Sequence, residues 1–302
     1  MALKDIKAKI LATKRMHTVT RAMEAVSAVK MRKTQAQAFD GRAYARAALS
    51  ILSRLAGTRE LKLHPLARAG MGKKLALLVI TSDKGLAGGL NAGVLKQALT
   101  LAASYGKDRV SIYAYGKKGE EFFRARGYHI VHAYENKLDT IPLSITEEIS
   151  RKLSKRFVEG EFSEVLAVYT NFKSTFEQIP SCRQILPLST ESVSELVREI
   201  QPVRGKFSEA RDIPQPATYT IEPEGAHVLD VLIPRLVSIS LYHMLLESKA
   251  SEHSARMVAM KNASDKSKEV ARDFTRIYNK VRQAAITREV SEIVSGREAL
   301  AT

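Results

Sequence analysis

Two long segments of this 302-residue chain contain neither glycine nor proline. They are residues 1–40 and residues 235–295. A helix in a globular domain usually ends within about 20 residues, and a periodic pattern that runs well past about 25 is typical of a coiled coil, a membrane span or a helical repeat. At about 1.5 Å per residue, the second segment would form a helix about 90 Å long. We therefore expect part of it to extend beyond any compact domain that this chain forms.

Both segments carry apolar or small residues at helical spacing, and in the N-terminal segment this stripe has a register shift. In the C-terminal segment the steps alternate between three and four residues, as the seam of a coiled coil requires. The two helices most simply pair in antiparallel orientation, because the middle of the chain can fold back between them. The predicted seam comprises Leu3, Ile6, Ile10, Met16, Val19, Met23 and Val26 in the first helix and Leu229, Leu232, Leu236, Ile239, His243, Leu246, Ala250, His253, Met257, Met260, Phe274, Tyr278, Val281 and Ala285 in the second.

The middle of the chain has a different pattern, in which strand-like and helix-like stretches alternate. Such alternation is typical of βαβ units with a mainly parallel sheet, so we predict a Rossmann-like α/β domain. The predicted strands are 75–81, 110–115, 128–133 and 165–170, the predicted helices are 91–105, 119–126 and 145–158, and the candidate edge strands are 178–188 and 217–221. The predicted segments are an N-terminal coiled-coil helix (1–56), a central α/β domain called the foot (73–215) and a C-terminal coiled-coil helix (218–302).

A glycine-rich turn follows the first predicted strand at residues 82–91 (SDKGLAGGLN). In an α/β domain, glycines at this point let backbone N–H groups approach a phosphate at the N-terminus of the next helix. The turn lacks the Gly-Lys-Ser/Thr ending of a P-loop and the spacing of a dinucleotide motif. Two interpretations stay open: a nucleotide site, or a tight turn capped by Asn91 or Ser82.

No other pattern predicts catalysis or metal binding. The seam residues His243 and His253 are interpreted as packed polar residues rather than metal ligands. We therefore predict no catalytic residue, no cofactor and no metal site. The single cysteine, Cys182, is expected to be a buried, inert thiol. The acidic residues that form no convincing acid–base arrangement are Asp83, Glu120, Glu121, Glu147 and Glu148.

The net charge of +16 is concentrated in the helical ends of the chain. Residues 1–54 hold 12 Lys and Arg against 3 Asp and Glu, and residues 235–302 hold 12 against 8. A basic surface of this kind binds nucleic acid, anionic lipid or an acidic protein, and charge alone does not choose among them. No run of about 18 apolar residues predicts a membrane span, and the N-terminus shows no pattern of a signal sequence or transit peptide.

Separate motifs together resemble the γ subunit of rotary, F-type ATP synthase in its bacterial form. Residues 18–31 (TVTRAMEAVSAVKM) are similar to the opening of that family, and the turn at 82–91 is similar to its SDRGLCGGLN motif. Nearer the C-terminus, residues 251–264 and 278–296 resemble the signature of the family. The resemblance extends in order along the whole chain.

The resemblance implies a central-stalk rotor that is not itself catalytic. In that family the paired helices stand inside a ring of three α and three β subunits, and the foot sits on a membrane-embedded c-ring together with the ε subunit. Proton-driven rotation of the c-ring turns an asymmetric shaft, which biases each catalytic β site toward a different conformation. The implied location is the cytoplasmic face of the bacterial plasma membrane, with membrane contact only through the c-ring. The alternative is a basic helical protein that binds nucleic acid, a partner that the resemblance does not imply.

Particular residues are assigned roles because they match motifs of the family. The implied contacts with the β subunit are Met23, Arg256, Arg282, Gln283, Thr287 and Glu289. The apolar residues expected to form a low-friction bearing at the tip of the C-terminal helix are Ile286, Val290, Ile293 and Val294. Without the resemblance, Arg256 and Arg282 would be interpreted as part of a solvated helix face. The Pro-rich residues 201–216 are assigned no role.

Overall fold

The structure is a computed structural model that describes residues 3–40, 59–189 and 225–301. The described helices are α1 (Leu3–Asp40), α2 (Arg59–Leu63), α3 (Leu90–Tyr105), α4 (Lys117–Ala125), α5 (Leu143–Val158) and α6 (Gly225–Ala301). The described strands are β1 (Lys74–Ile80), β2 (Val110–Tyr115), β3 (His129–Tyr134), β4 (Phe162–Phe172) and β5 (Gln178–Leu186). A short 3-10 helix, Lys107–Arg109, precedes β2.

These strands form one sheet in the order β3-β2-β1-β4-β5. The strands from β3 to β4 run parallel, and β5 is antiparallel to β4 at one edge. In the central strand β1, the side chains from residue 75 to residue 80 are at most 1% exposed. A parallel strand that is covered on both faces is a continuous apolar run rather than an alternating one, which explains the LALLVI sequence of β1. The predicted α/β domain with a mainly parallel sheet is confirmed.

Helices cover both faces of the sheet. Leu77 and Val79 of β1 belong to a core layer with α3 and α4, whereas Leu78 of the same strand belongs to a second layer with α5 and the first part of α6. Each fully buried Leu or Val side chain contributes about 1.5–3 kcal/mol. The sheet is therefore packed between two layers of helices. Polar side chains lie at its carboxyl edge, outside these apolar layers.

The predicted central strands and helices are present, with ends that differ by a few residues. The largest difference is β4, which extends at both ends beyond the predicted 165–170. The candidate edge strand at 178–188 is β5. The C-terminal helix α6 begins at Gly225 and includes Pro234, ahead of the segment without glycine or proline. The second candidate edge strand at 217–221, the Pro-rich residues 201–216 and residues 41–56 of the predicted N-terminal helix lie outside the described residues.

Contacts divide the chain into two compact units, Met1–Ser27 with Arg256–Thr302 and Ala28–Ala255. This division cuts through α1 and α6, and it differs from the predicted segments. In the first unit, His17 Nδ1 lies 3.0 Å from the backbone oxygen of Ser264, and the Lys9 ammonium lies 5.6 Å from the centre of the Phe274 ring. Because the lower-numbered residue of α1 contacts the higher-numbered residue of α6, the two helices run antiparallel there, as predicted.

The buried face of α1 differs from the predicted seam. Met16, Val19 and Val26 are 57%, 55% and 52% exposed, whereas the small polar residues Thr20 and Ser27 are 5% and 3% exposed. Thr20 tolerates burial because its hydroxyl donates to the backbone oxygen of Met16 at 2.9 Å. The prediction that Met16, Val19 and Val26 lie on the buried stripe of α1 is therefore wrong, and these side chains form an apolar row on the exposed side of the helix.

By length and composition alone, α6 could span a membrane between His227 and Arg297. Its most apolar 18-residue window has a mean hydropathy of 1.5, and half of that window is buried inside the protein. Leu236, Leu241 and Leu245 of this helix belong to the core of the second unit. Packing in the core therefore accounts for the apolar character of this part of α6.

Candidate functional site

The carboxyl edge of the sheet is the first place to look for a site. The order of the strands reverses between β1 and β4, and ligands of doubly wound α/β folds bind outside the carboxyl ends of strands at such a point. The glycine-rich turn at residues 82–91 lies at this edge, because it joins β1 to α3. The two interpretations of this turn can therefore be compared with its geometry.

Hydrogen bonds between Ser82, Lys84 and Asn91 close the glycine-rich turn. The Ser82 backbone N–H donates to Asn91 Oδ1 at 3.0 Å, and the Asn91 side-chain amide donates to Ser82 Oγ at 2.8 Å. Ser82 Oγ donates in turn to the backbone oxygen of Lys84 at 2.6 Å. Gly89 is the N-cap residue of α3, and no side chain caps it. The expected helix cap by Asn91 or Ser82 is therefore wrong, although these two residues do close the turn.

The protein's own helix α6 occupies the carboxyl edge through residues 248–254, here called the polar contact segment. Ser248 Oγ accepts a hydrogen bond from the Thr170 backbone N–H at 3.0 Å, at the end of β4. Lys249 Nζ donates to the backbone oxygen and to Oδ1 of Asn136, after β3, at 3.0 and 2.9 Å. These contacts lie at the ends of β3 and β4, whereas Gly85, Gly88 and Gly89 of the turn have no atom within 4 Å of an added Cβ. The hydrogen bonds of Ser82 and Asn91 account for the shape of the turn, so the geometry favours its structural interpretation.

Asp83 supports this arrangement as a hydrogen-bond acceptor. Its Oδ1 accepts from the Lys117 backbone N–H at 2.8 Å, at the start of α4, and its Oδ2 accepts from the Asn136 backbone N–H at 3.0 Å. The Asn136 side-chain amide donates to the backbone oxygen of Thr81 at 2.8 Å. Burial, followed by the carboxylates of Asp83 and Glu252, raises the pKa of the adjacent Tyr115 to about 12, so this phenol stays protonated. Asp83 is therefore a structural residue of the strand ends.

The other predicted non-catalytic acids lie on helix surfaces. Glu120 pairs with Arg124, Glu121 with Lys118 and Glu148 with Lys152, each three or four residues apart on one helix. Hydrogen bonding to Lys152 lowers the pKa of Glu148, which is the behaviour of an ion pair rather than of a general acid. Such pairs support exposed helices by a few tenths of a kcal/mol.

The histidines and the cysteine of the sequence predictions have different outcomes. His243 and His253 are 2% and 3% exposed, so both are packed side chains. Within residues 3–40, 59–189 and 225–301, no group of three His, Cys, Asp or Glu side chains is placed to hold a metal ion. Cys182 is exposed, so the expectation of a buried thiol is wrong. Desolvation of the sulfur, with a smaller effect of the Glu164 carboxylate, nevertheless raises the pKa of this thiol to about 11.

The residues assigned to contacts with the β subunit differ in exposure. Arg282, Gln283, Thr287 and Glu289 are exposed on α6, and Met23 is half-buried on α1. Arg256 is only 8% exposed. The structure therefore leaves the contacts in the last part of α6 open to a partner and covers most of the Arg256 side chain within the chain itself.

The end of α6 carries an uncovered apolar stripe among polar residues. The predicted bearing residues Ile286, Val290, Ile293 and Val294 are 47%, 53%, 71% and 50% exposed. Every residue from 286 to 297 is exposed. A row of large apolar side chains on a solvent-facing helix is typical of a surface that another protein covers.

A basic groove lies between α1 and α6 in the first unit. Its volume is about 520 Å³, and four of its lining residues are cationic. On the same helix α1, the basic side chains Lys7, Arg15 and Arg21 are exposed, whereas Lys30 forms an ion pair with Asp139 at 2.8 Å in the second unit. The residues that line the groove are Lys14, His17, Lys268, Ala271, Arg272, Thr275 and Arg276.

Known proteins resemble this chain over its whole length. A family model described as ATP synthase matches residues 2–300. A protein named ATP synthase gamma chain from Moorella thermoacetica is 36% identical over 298 residues, which are 99% of each chain. This chain belongs to the ATP synthase gamma chain family. A further gamma chain, from Chlorobium phaeobacteroides strain BS1, is 35% identical over 304 residues, with 99% of this chain and 98% of the relative covered.

A solved structure shares the fold of this gamma chain. The similar chain comes from a complex described as Euglena gracilis mitochondrial ATP synthase, OSCP/F1/c-ring, rotational state 3. It is 18% identical, with a TM-score of 0.64, and the match covers 99% of this chain and 94% of that chain. Family membership makes this chain a non-catalytic, central-stalk subunit of ATP synthase.

The residues that sequence reasoning missed in this gamma chain are those at the carboxyl edge of the sheet. Ser248, Lys249 and Asn136 were not singled out, although all three are buried. A signal existed in the sequence: residues 248–254 read SKASEHS, a polar run inside a helix whose preceding turns are apolar. A polar run in a buried stretch of helix requires partners, and the strand ends supply them.

Proposed function

We propose that this gamma chain is the rotor that couples a proton-driven c-ring to the catalytic β subunits of a bacterial ATP synthase. The observation that carries the proposal is the uncovered apolar end of α6, over residues 286–297. The proposed cover is a ring of three α and three β subunits, whose collar surrounds Ile286, Val290, Ile293 and Val294. A smooth apolar collar suits rotation because non-directional contacts do not fix one angle.

The basic surface of the first unit suits the same function. We assign the groove lined by Lys14, Arg272 and Arg276 to acidic segments of the β subunits. Exposed ion pairs contribute a median of roughly 0–1 kcal/mol each. Because each pair is individually weak, a turning surface can break and remake such contacts at every step. This assignment makes an acidic protein, rather than nucleic acid, the partner of the charge on the helices.

The proposed specific contacts with the β subunit are those of the family motifs. Arg282, Gln283, Thr287 and Glu289 are exposed and available for it, and Met23 is half-buried. Arg256 stays a prediction, since a partner reaches this side chain only through its remaining 8% of exposed surface. The foot is proposed to bind the c-ring and the ε subunit. The proposed location is the cytoplasmic face of the bacterial plasma membrane, with no direct contact between this chain and lipid.

The test is reconstitution of the complete complex with and without this chain. The α, β and ε subunits and the c-ring are assembled in vesicles, and ATP hydrolysis and ATP-driven proton pumping are measured. We expect stoichiometric incorporation of the chain and pumping only when it is present. Failure to incorporate, or pumping without the chain, would overturn the proposal.

Charge reversal on α6 tests the β-subunit contact within this complex. Arg282→Glu should slow turnover, because a cation is replaced by an anion where the partner is proposed to be acidic. Lys280→Glu is the matched control, since it makes the same change of charge at an exposed position on another side of the same helix. Equal turnover of both variants and the unmodified complex would remove Arg282 from the contact.

A further inference from the structure

The most completely buried part of α6 contains many polar residues. Within the polar contact segment, Ser251 and Ser254 are fully buried, Lys249 and His253 are 3% exposed, and Glu252 is 4% exposed. An ordinary core helix would present apolar residues here, as α6 itself does one turn earlier at Leu245 and Leu246. The segment therefore requires an explanation beyond packing.

The partners of the polar contact segment come from several loops at the carboxyl edge. Ser248 bonds to Thr170 near the end of β4, and Ser254 Oγ donates to the backbone oxygen of Thr175, after β4, at 2.7 Å. Lys249 reaches the loop after β3 through Asn136. Asn136 is bonded in turn to Thr81, after β1. One helical segment is thus tied to the ends of three parallel strands.

Lys249 is the central group of this arrangement. Its ammonium lies 3.0 Å from the Asn136 backbone oxygen, 2.9 Å from Asn136 Oδ1 and 3.4 Å from Glu252 Oε2. The two Asn136 oxygens accept hydrogen bonds from the ammonium, and the Glu252 carboxylate is its ion-pair partner. A buried charge is stable only when it is paired and hydrogen-bonded, so the position of Lys249 is closely determined by the loop.

Directional polar contacts behave differently from apolar ones under a twisting force. Apolar surfaces keep most of their contact when they slide past each other, because the hydrophobic effect has no direction. A hydrogen bond weakens steeply when its angle falls toward about 120°, and a buried charge that loses its partner is strongly destabilising. A helix held by such groups therefore resists rotation about its own axis more than a helix held by leucines.

We propose that Lys249 is a positioning residue that holds α6 on the foot against twisting, so that the foot and the helix rotate together. This inference rests on the proposed rotor function and deepens it. Lys249 contacts neither substrate nor the β subunits in this role. It acts through Asn136, which Asp83 and Thr81 hold in place at the ends of β1 and β3.

The test uses the complete membrane-bound complex and compares pumping with hydrolysis. Lys249→Met keeps the length of the side chain and removes its charge and donors. We expect the detached soluble part to keep its ATP hydrolysis rate, because no load acts on the foot there. In vesicles, the number of protons pumped per ATP hydrolysed should fall by more than half. The backbone N–H groups of Asn136 and Thr170 should exchange with deuterium about tenfold faster. Lys249→Arg, which keeps the charge and the donors, should recover part of the pumping.

Two further variants keep the result interpretable. Lys96→Met changes an exposed lysine of α3, and it should leave the pumping per ATP unchanged. If Lys249→Met does not assemble, Ser248→Ala tests the proposal instead. This variant removes only the oxygen that accepts from the Thr170 N–H, and it should also lower the number of protons pumped per ATP. Pumping per ATP equal to that of the unmodified complex, in an assembled variant with faster exchange, would overturn the role of Lys249. Absence of pumping with the unmodified chain would instead overturn the rotor function itself.

Discussion

At Gly116 the backbone takes a conformation that other residues rarely adopt. Its φ is +104°, and a Cβ built there would lie 2.1 Å from the backbone oxygen of Thr81. This glycine stands between β2 and α4, where the chain passes close to the end of β1. The close approach matters because the backbone oxygen of Thr81 also accepts a hydrogen bond from the Asn136 side-chain amide. A glycine here is therefore a requirement of the carboxyl edge rather than of a flexible loop.

We expect Gly116→Ala to lower the free energy of unfolding of the full chain by about 1–3 kcal/mol from backbone strain alone, with a further loss from the contact with Thr81. Urea denaturation followed by circular dichroism measures it. Gly89→Ala is the matched control, because a Cβ there meets nothing within 4 Å and its φ is −85°. The control should change the free energy by less than about 1 kcal/mol. Similar losses in the two variants would contradict the explanation.

His64 gives the second unit a pH dependence near neutrality. Its Nδ1 accepts from the Leu66 backbone N–H at 3.1 Å, and its Nε2 lies 3.4 Å from Asp230 Oδ1. Burial lowers the pKa of this imidazole, and the smaller effect of Asp230 opposes it. Because the unfolded chain binds the proton more readily, the stability from this site is present above about pH 6.5 and is lost as the pH falls below it.

We therefore expect the urea midpoint of the unmodified chain to fall more than that of His64→Gln between about pH 7.5 and pH 5.5. Glutamine retains a side-chain acceptor for the Leu66 N–H and does not titrate. The measurement is a set of denaturation curves of both chains across this range. Parallel midpoints would show that His64 does not titrate between the folded and unfolded states.

At the scale of the element, α1 exposes the apolar residues Met16, Val19 and Val26 and buries the small polar residues Thr20 and Ser27. Met16→Ser should change the free energy of unfolding by less than about 0.5 kcal/mol, since the side chain is 57% exposed. Ser27→Leu should cost about 1–3 kcal/mol, because Ser27 is 3% exposed and a larger side chain overfills its site. Denaturation of the two variants distinguishes this arrangement from the predicted apolar seam, which gives the opposite order.

The sheet was predictable from the sequence, whereas the buried face of α1 and two buried cations were not. The strands of the sheet were predictable because β1 and β2 are buried on both faces, and an apolar run has few other uses in an α/β chain. The buried face of α1 was not predictable. Thr20 and Ser27 are small enough to let two helices approach, and a pattern of hydrophobic residues contains no information about side-chain size. The burial of Lys249 was not predictable either, because its charge is stabilised by Asn136, which is distant in the sequence. Arg256 matches a family motif, but the motif does not indicate that its side chain is only 8% exposed.

At the scale of the whole molecule, the end of α6 contributes nothing visible to the fold of this chain. Residues 286–297 are all exposed. Deletion of residues 286–302 should therefore leave the urea midpoint of the chain unchanged, while it weakens assembly with the α and β subunits or lowers the coupling of pumping to hydrolysis. Hydrolysis at the β sites should persist. A lowered midpoint would show that the end packs on this chain, and unchanged assembly and coupling would show that it has no partner.

The polar contact segment is covalently attached to the domain whose strand ends it binds. A group held in this way acts at an effective concentration of about millimolar or more. A soluble molecule that competed for the polar groups at the ends of β3 and β4 would have to displace a segment that cannot diffuse away. We therefore expect the attachment of α6 to these strand ends to be unaffected by solutes present well below that concentration.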